Sequence, residues 1–188
     1  LAPASAQAQG QGFQTIAPFA ILMDSDTGAV LFEKAADELM VPASMAKLMT
    51  LELLFNEIAK GKVSLEDEFP ISESAWRRGG GPSGGSSMFA VLNSKVKVVD
   101  LIQGITVMSG NDAAIAVAEG LAGSEGAFAQ NMTKRAHELG MTQSSFANAS
   151  GLPEDGHHMS ARDLVTLARH IIDDFPQYYH YFSETEFT

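Results

Sequence analysis

The chain has 188 residues, 45% of them hydrophobic and 19% charged, which specifies a globular domain able to bury roughly 70% of the surface its unfolded form exposes. Its net charge is −11, with 8 basic and 12 acidic residues before position 101 and 4 and 11 after it, so neither half would attract a phosphate backbone and nucleic acid is not expected as a partner. Cysteine is absent, which removes disulfides and thiolate chemistry, and no run approaches the ~20 apolar residues of a membrane span.

The first residues, Leu1-Ala2-Pro3-Ala4-Ser5-Ala6-Gln7-Ala8-Gln9, are small and polar with A-x-A spacings. They read as the cleavage region of an export signal or as a flexible leader, so residues 1–14 are set apart from a domain over 15–188. Phe19–Met23 and Ala29–Phe32 are short apolar runs separated by Asp24-Ser25-Asp26-Thr27-Gly28, which predicts a β-hairpin. Pro42 precedes a helix predicted from about Ser44 to Lys60 and closed by Gly61. Its apolar residues, Met45 and Ile58 among them, go most of the way round the cylinder, the pattern of a helix at the centre of a domain.

Residues 79–87 are Gly-Gly-Gly-Pro-Ser-Gly-Gly-Ser-Ser and predict an irregular, mobile surface loop. A helix follows from about Asp100 to Met108, and Ser109-Gly110-Asn111 interrupts it. A small-residue helix restarts over Asp112–Ala122. Ser124 caps a further helix to Leu139 with Gly140 as its stop. Ser160 caps the last, with Asp163 spaced as in a capping box, and Pro176 ends it.

Five histidines raise the question of a metal. His137-Glu138 opens an H-E-x-x-H pattern, but Met141 stands where the second histidine must be, and His157-His158 lack a third ligand at a useful spacing. No metal is expected. The glycine segment spells both G-x-G-x-x-G and G-x-S-x-G, yet it lacks the strand before and the helix after that either motif needs.

Ser44-Met45-Ala46-Lys47 is an S-x-x-K, and Ser94 with Lys97 makes a second copy. The second lies in a polar, lysine-rich stretch, predicted to be a solvated strand or loop. Ser44 instead opens an apolar helix, where residues i and i+3 share a face. Burial and the positive end of a helix both disfavour an ammonium, so a neutral Lys47 could take the Ser44 proton and make it a nucleophile. The alternative is that Ser44 is only an N-cap and Lys47 snorkels to solvent. Ser109 and Asn111 add a hydroxyl able to relay a proton and an amide able to donate to and accept from a substrate backbone.

With these blocks in order, the chain resembles the low-molecular-weight penicillin-binding proteins, the D-alanyl-D-alanine carboxypeptidase family, from about Ala17 to Thr188. The carriers are Pro42–Thr50, Gly85–Phe89, Ser109–Ala113, Asn148–Leu152 and Ser160–Leu164. Ser-Gly-Asn in place of Ser-Asp-Asn separates it from class A β-lactamases, as does the absence of an E-x-x-L-N setting. The resemblance implies a mixed α/β, β-lactamase-like transpeptidase fold, with an antiparallel sheet packed on helices and a helical subdomain carrying Ser109 and Asn111.

It also implies a serine D,D-carboxypeptidase without cofactor, acting on peptidoglycan stem peptides and trapped by β-lactam antibiotics in the periplasm or cell envelope. Ser44 would be the nucleophile, Lys47 its base and Ser109 a proton relay. Asn111 would hold the substrate backbone, and the Ser44 N–H would be one oxyanion donor. The family's K-[TS]-G is missing, since no lysine precedes Thr/Ser-Gly. The chain therefore reads as the N-terminal portion of the catalytic domain, its hairpin edge open to a C-terminal fragment or a swapped homodimer. A catalytically incomplete peptidoglycan-binding fragment, or a D,D-endopeptidase or β-lactamase relative, is the alternative.

Overall fold

A computed structural model describes residues 13–187; most of the expected leader, residues 1–12, lies outside the described residues. Strands β1 (Ala20–Met23) and β2 (Val30–Lys34) form the antiparallel hairpin, with Ala20 opposite Lys34 and Leu22 opposite Phe32. Its turn is made by Asp24, whose carboxylate accepts from the Thr27 N–H (2.8 Å) and hydroxyl (2.6 Å). Gly28 closes the turn at φ +73°, where a side chain would be strained.

The remaining strands are short. β3 (Leu39–Met40) pairs with β6 (Met159–Ser160), and β4 (Glu68–Pro70) with β5 (Lys95–Lys97), both antiparallel. The expected antiparallel sheet is thus three separate two-stranded pieces among the described residues.

Helix α1 (Lys47–Ala59) is the axis of the domain, with α3 (Asn111–Ala122), α4 (Glu125–Glu138) and α5 (Ala161–Asp174) packed around it. Met49, Leu51, Leu54 and Phe55 are fully buried, as the apolar pattern predicts. Met45 departs from it at 42% exposed, because the α-helix begins only at Lys47. Ala43–Ala46 form a tighter 3-10 turn that aims Met45 outward, into an apolar groove of 450 Å³ beside β1. Six consecutive residues of α3, Ala113–Ala118, are fully buried, and the four alanines among them let its neighbours approach closely.

The glycine-rich segment is anchored at its start, contrary to a mobile loop throughout. Ala75–Gly79 form a π-helical turn, and Gly79 lies so close to α3 that a Cβ there would stand 2.4 Å from the Asp112 amide nitrogen. Gly81–Ser83 make a 3-10 turn, and residues 81–86 are exposed.

Helix α2 (Val98–Thr106) and the two capped helices follow expectation. Ser124 Oγ accepts from the Ala127 N–H, and Ser160 Oγ from the Asp163 N–H at 3.1 Å. No reciprocal capping box forms at α5. The Asp163 carboxylate turns instead to the Ser144 hydroxyl (2.7 Å) and the Gln143 N–H (3.1 Å), tying the helix to the segment after α4.

Candidate active site

The 3-10 turn presents Ser44 at the surface, and it makes no side-chain cap bond, so the capping role is not the one it plays. Lys47, one turn on, is only 3% exposed. Its Nζ lies 3.1 Å from Ser44 Oγ and donates at 2.7 Å to the Ser150 carbonyl. Burial pushes the Lys47 pKa down to about 8, against the opposing pull of the Asp112 charge. An amine in that range exchanges its proton near neutrality, and its lone pair then faces the serine hydroxyl. The snorkelling alternative for Lys47 does not describe this geometry.

The chain segment that receives Lys47 comes from a hundred residues away. Asn148 Oδ1 accepts from the backbone N–H of Ser150 (3.2 Å) and Gly151 (2.8 Å), and its Nδ2 donates to the Leu152 carbonyl (2.8 Å). This side chain folds residues 148–152 into a tight loop. Thr50 Oγ1 bonds the Ala149 carbonyl at 2.7 Å, a second tie to α1. Gly151 adopts φ +83° against the Ala43 carbonyl. Sequence reasoning quoted this block without assigning it any role. Its Asn-x-Ser-Gly turn pattern was the available signal.

Ser109 stands between α2 and α3 at φ +53°, a left-handed conformation uncommon for serine. With Ser44, Lys47, Ile105, Thr106 and Phe182 it lines a cavity of about 200 Å³. Asn111, the first residue of α3 and 6% exposed, does not line that cavity. Its amide nitrogen sits 3.2 Å from where a Cβ on Gly85 would stand, and its backbone N–H donates to the Ser86 carbonyl at 2.9 Å. The structure thus gathers Ser44, Lys47 and Ser109 around one cavity and places Asn111 beside the exposed glycine segment.

A larger groove of about 480 Å³ lies at the far end of α1 among Lys60, Lys62, Lys134 and Arg135, but no serine, threonine or histidine lines it. Size alone does not mark the site. The second S-x-x-K is also unsuited to chemistry. Ser94 Oγ donates to the Val91 carbonyl at 2.7 Å, and Lys97 bonds Glu66 at 2.8 Å, an ion pair that raises the lysine pKa.

Four histidines make hydrogen bonds within the fold. His157 Nδ1 accepts from the Ala147 N–H, and burial lowers its pKa. His137 contacts the Ser144 carbonyl, His170 the Glu52 carboxylate and His180 the Gln177 carbonyl. Among the described residues no three His, Asp or Glu side chains converge to hold a metal.

Known proteins share this arrangement. A family model described as D-alanyl-D-alanine carboxypeptidase matches residues 4–188. The chain is 40% identical over 153 residues to the D-alanyl-D-alanine carboxypeptidase DacF of Bacillus subtilis, covering 81% of this chain and 38% of that protein. Among solved structures, the D-alanyl-D-alanine carboxypeptidase DacD of Francisella tularensis is 38% identical with a TM-score of 0.87, over 92% of this chain and 41% of its own. Penicillin binding protein 5 of Haemophilus influenzae is 37% identical with a TM-score of 0.88, over 93% of this chain and 50% of its own. The chain spans about two fifths of the length of the curated relatives it matches. Fold, sequence and the pairing of Ser44 with Lys47 agree, and the chain belongs to the D-alanyl-D-alanine carboxypeptidase family.

Proposed function

We propose that this chain carries the acylating machinery of a serine D,D-carboxypeptidase that removes the terminal D-alanine of peptidoglycan stem peptides. The observation that carries the reading is the buried Lys47 amine, 3.1 Å from Ser44 Oγ and with its pKa lowered to about 8. Neutral Lys47 takes the Ser44 proton as Oγ attacks the carbonyl of the D-alanyl-D-alanine bond. The Ser44 N–H donates to the developing oxyanion. Ser109, across the cavity, passes a proton to the departing amine, and Asn111 holds the substrate backbone. Water then attacks the ester, releasing the shortened peptide and free Ser44. In a β-lactam the same attack breaks the ring C–N bond, but the expelled amine stays tethered to the acyl group and cannot depart, so its ester persists. On this reading the protein works in the bacterial cell envelope, exported to the periplasm.

No Lys-Thr/Ser-Gly occurs in these 188 residues. In the family that motif supplies the second oxyanion donor and the cation for the substrate carboxylate. Each hairpin strand pairs only with the other among the described residues, while Leu22, Val30 and Leu31 are exposed on it. A further segment, supplied as a C-terminal fragment or by a swapped homodimer, would cover that edge. The missing motif is also the observation that favours a second reading, a catalytically incomplete fragment that binds cell-wall peptide without turning it over.

Intact mass after incubation with benzylpenicillin, followed by peptide mapping, tests both. One adduct on the peptide containing Ser44 supports the acylating site. No adduct leaves the binding fragment. Fast loss of the adduct would mark a β-lactamase relative, and cleavage of cross-linked in preference to linear peptides a D,D-endopeptidase.

Acylation should also follow the protonation of Lys47. The charged form predominates below about pH 8 and cannot accept a proton. The rate should rise about tenfold per pH unit toward that value and level off above it. A rate independent of pH between 6 and 9 would remove Lys47 as the base.

A further inference from the structure

Asp112 is fully buried, and no cation lies within ion-pairing distance of it among the described residues. Its carboxylate is satisfied by four donors. Oδ1 accepts from the backbone N–H of Met88 (2.9 Å) and Ala113 (3.0 Å); Oδ2 accepts from the Ser87 hydroxyl (2.8 Å) and the Ala90 N–H (3.1 Å). Three of these come from residues 87–90, the strap that follows the exposed glycine segment. The same corner is closed by the Asn111 N–H on the Ser86 carbonyl and by the Gly110 N–H on the Gly104 carbonyl, both 2.9 Å. Asp112 also lies in the first turn of α3, where the helix dipole favours a negative charge.

We propose that Asp112 is the positioning residue of this site, a buried charge that clamps the 87–90 strap onto α3, sets the stance of Ser109 and Asn111, and acts electrostatically on the Lys47 amine. The inference rests on the acylating role of Ser44 and Lys47. An ionised carboxylate is required because it is acceptor-only on both oxygens. An asparagine would turn an NH₂ toward two of the four donors and leave them unpaired in the interior.

Asp112 is the charged group that acts on the Lys47 pKa, opposing burial. Several charges on the surrounding elements are engaged elsewhere, whereas Asp100 on α2 and Glu119 on α3 are not tied by an ion pair among the described residues. Arg77 bonds Glu73 and Arg78 bonds Glu125. On α1 itself, Glu52 is held by Arg135 and His170. In the 148–154 loop Glu154 accepts from Asn148, and toward the C-terminus Glu184 accepts from Gln103.

The test compares Asp112→Asn and Ser87→Ala in this chain, reading the acylation rate against pH and, independently, the titration of Lys47 by ¹³Cε NMR. Asp112→Asn should slow acylation on the high-pH plateau about 10- to 100-fold, the scale of an ångström-level misplacement. It should also move the Lys47 midpoint downward, because the charge that favours the ammonium is gone. Ser87→Ala, which keeps the carboxylate, should slow the plateau rate with the midpoint unmoved.

An unmoved midpoint in Asp112→Asn would reduce the residue to a structural one and overturn the proposal. So would an unchanged plateau rate in Ser87→Ala, which also decides the matter if Asp112→Asn does not fold. Absence of any wild-type adduct would instead overturn the serine reading, while the NMR titration still judges Asp112.

Discussion

Ser44→Ala is expected to reduce the benzylpenicillin adduct below detection, a loss of about 10³-fold or more, while Ser94→Ala labels like the wild type. The two substitutions remove the same hydroxyl from the same four-residue pattern, so the contrast isolates environment. At Ser44 the hydroxyl faces an amine whose pKa is lowered to about 8 and which lines a cavity with Ser109. At Ser94 the hydroxyl proton is given to the Val91 carbonyl, and Lys97 is kept charged by Glu66. Ser44 is exposed and caps nothing, so its loss should leave stability within about 0.5 kcal/mol. Thermal melts of both variants then separate lost chemistry from lost fold. Equal labelling of the two variants would refute the assignment of the nucleophile.

The parts of this site written in the sequence are the local ones. Ser44 and Lys47 are one helical turn apart, so their spacing alone predicts a shared face. Ser124, Ser160 and Gly140 mark helix ends because capping hydroxyls and left-handed glycines act within three or four residues. Asp163 shows the limit of such reasoning. Its spacing from Ser160 suits a capping box, but Ser144, nineteen residues earlier, competes for the carboxylate and wins. Met45 fails similarly. A helical wheel places it on the buried side, whereas the 3-10 turn before α1 rotates it outward.

What was not legible is what joins distant segments. The Ser150 carbonyl that holds Lys47 is a backbone group, and no residue type signals it. Asp112 follows Ser109-Gly110-Asn111 directly, yet its partners at 87–90 become visible only once the strap is folded against α3. The glycine-rich stretch misleads for the same reason. Its composition predicts mobility, while Gly79 is there because the backbones of two segments touch.

That reasoning makes Gly151→Ala the second large effect. A Cβ at Gly151 would stand 1.9 Å from the Ala43 carbonyl oxygen and 2.4 Å from its carbon, and the residue sits at φ +83°. Left-handed backbone costs a side chain about 1–2 kcal/mol, and overpacking adds about 1–3 kcal/mol. The neighbour is backbone, so it cannot swing aside as a side-chain tip would. The loop must move, and with it the Ser150 carbonyl that fixes Lys47 beside Ser44. We expect a stability loss of about 2–5 kcal/mol and, in the fraction that folds, acylation slowed about 10- to 100-fold. Gly140→Ala is the control. It has φ +86° with nothing within 4 Å of the added carbon, so it carries the backbone cost alone, about 1–2 kcal/mol, at unchanged acylation rate. Matching melts and rates for the two variants would mean that the close approach of Gly151 to Ala43 does not hold the nucleophile's turn in place.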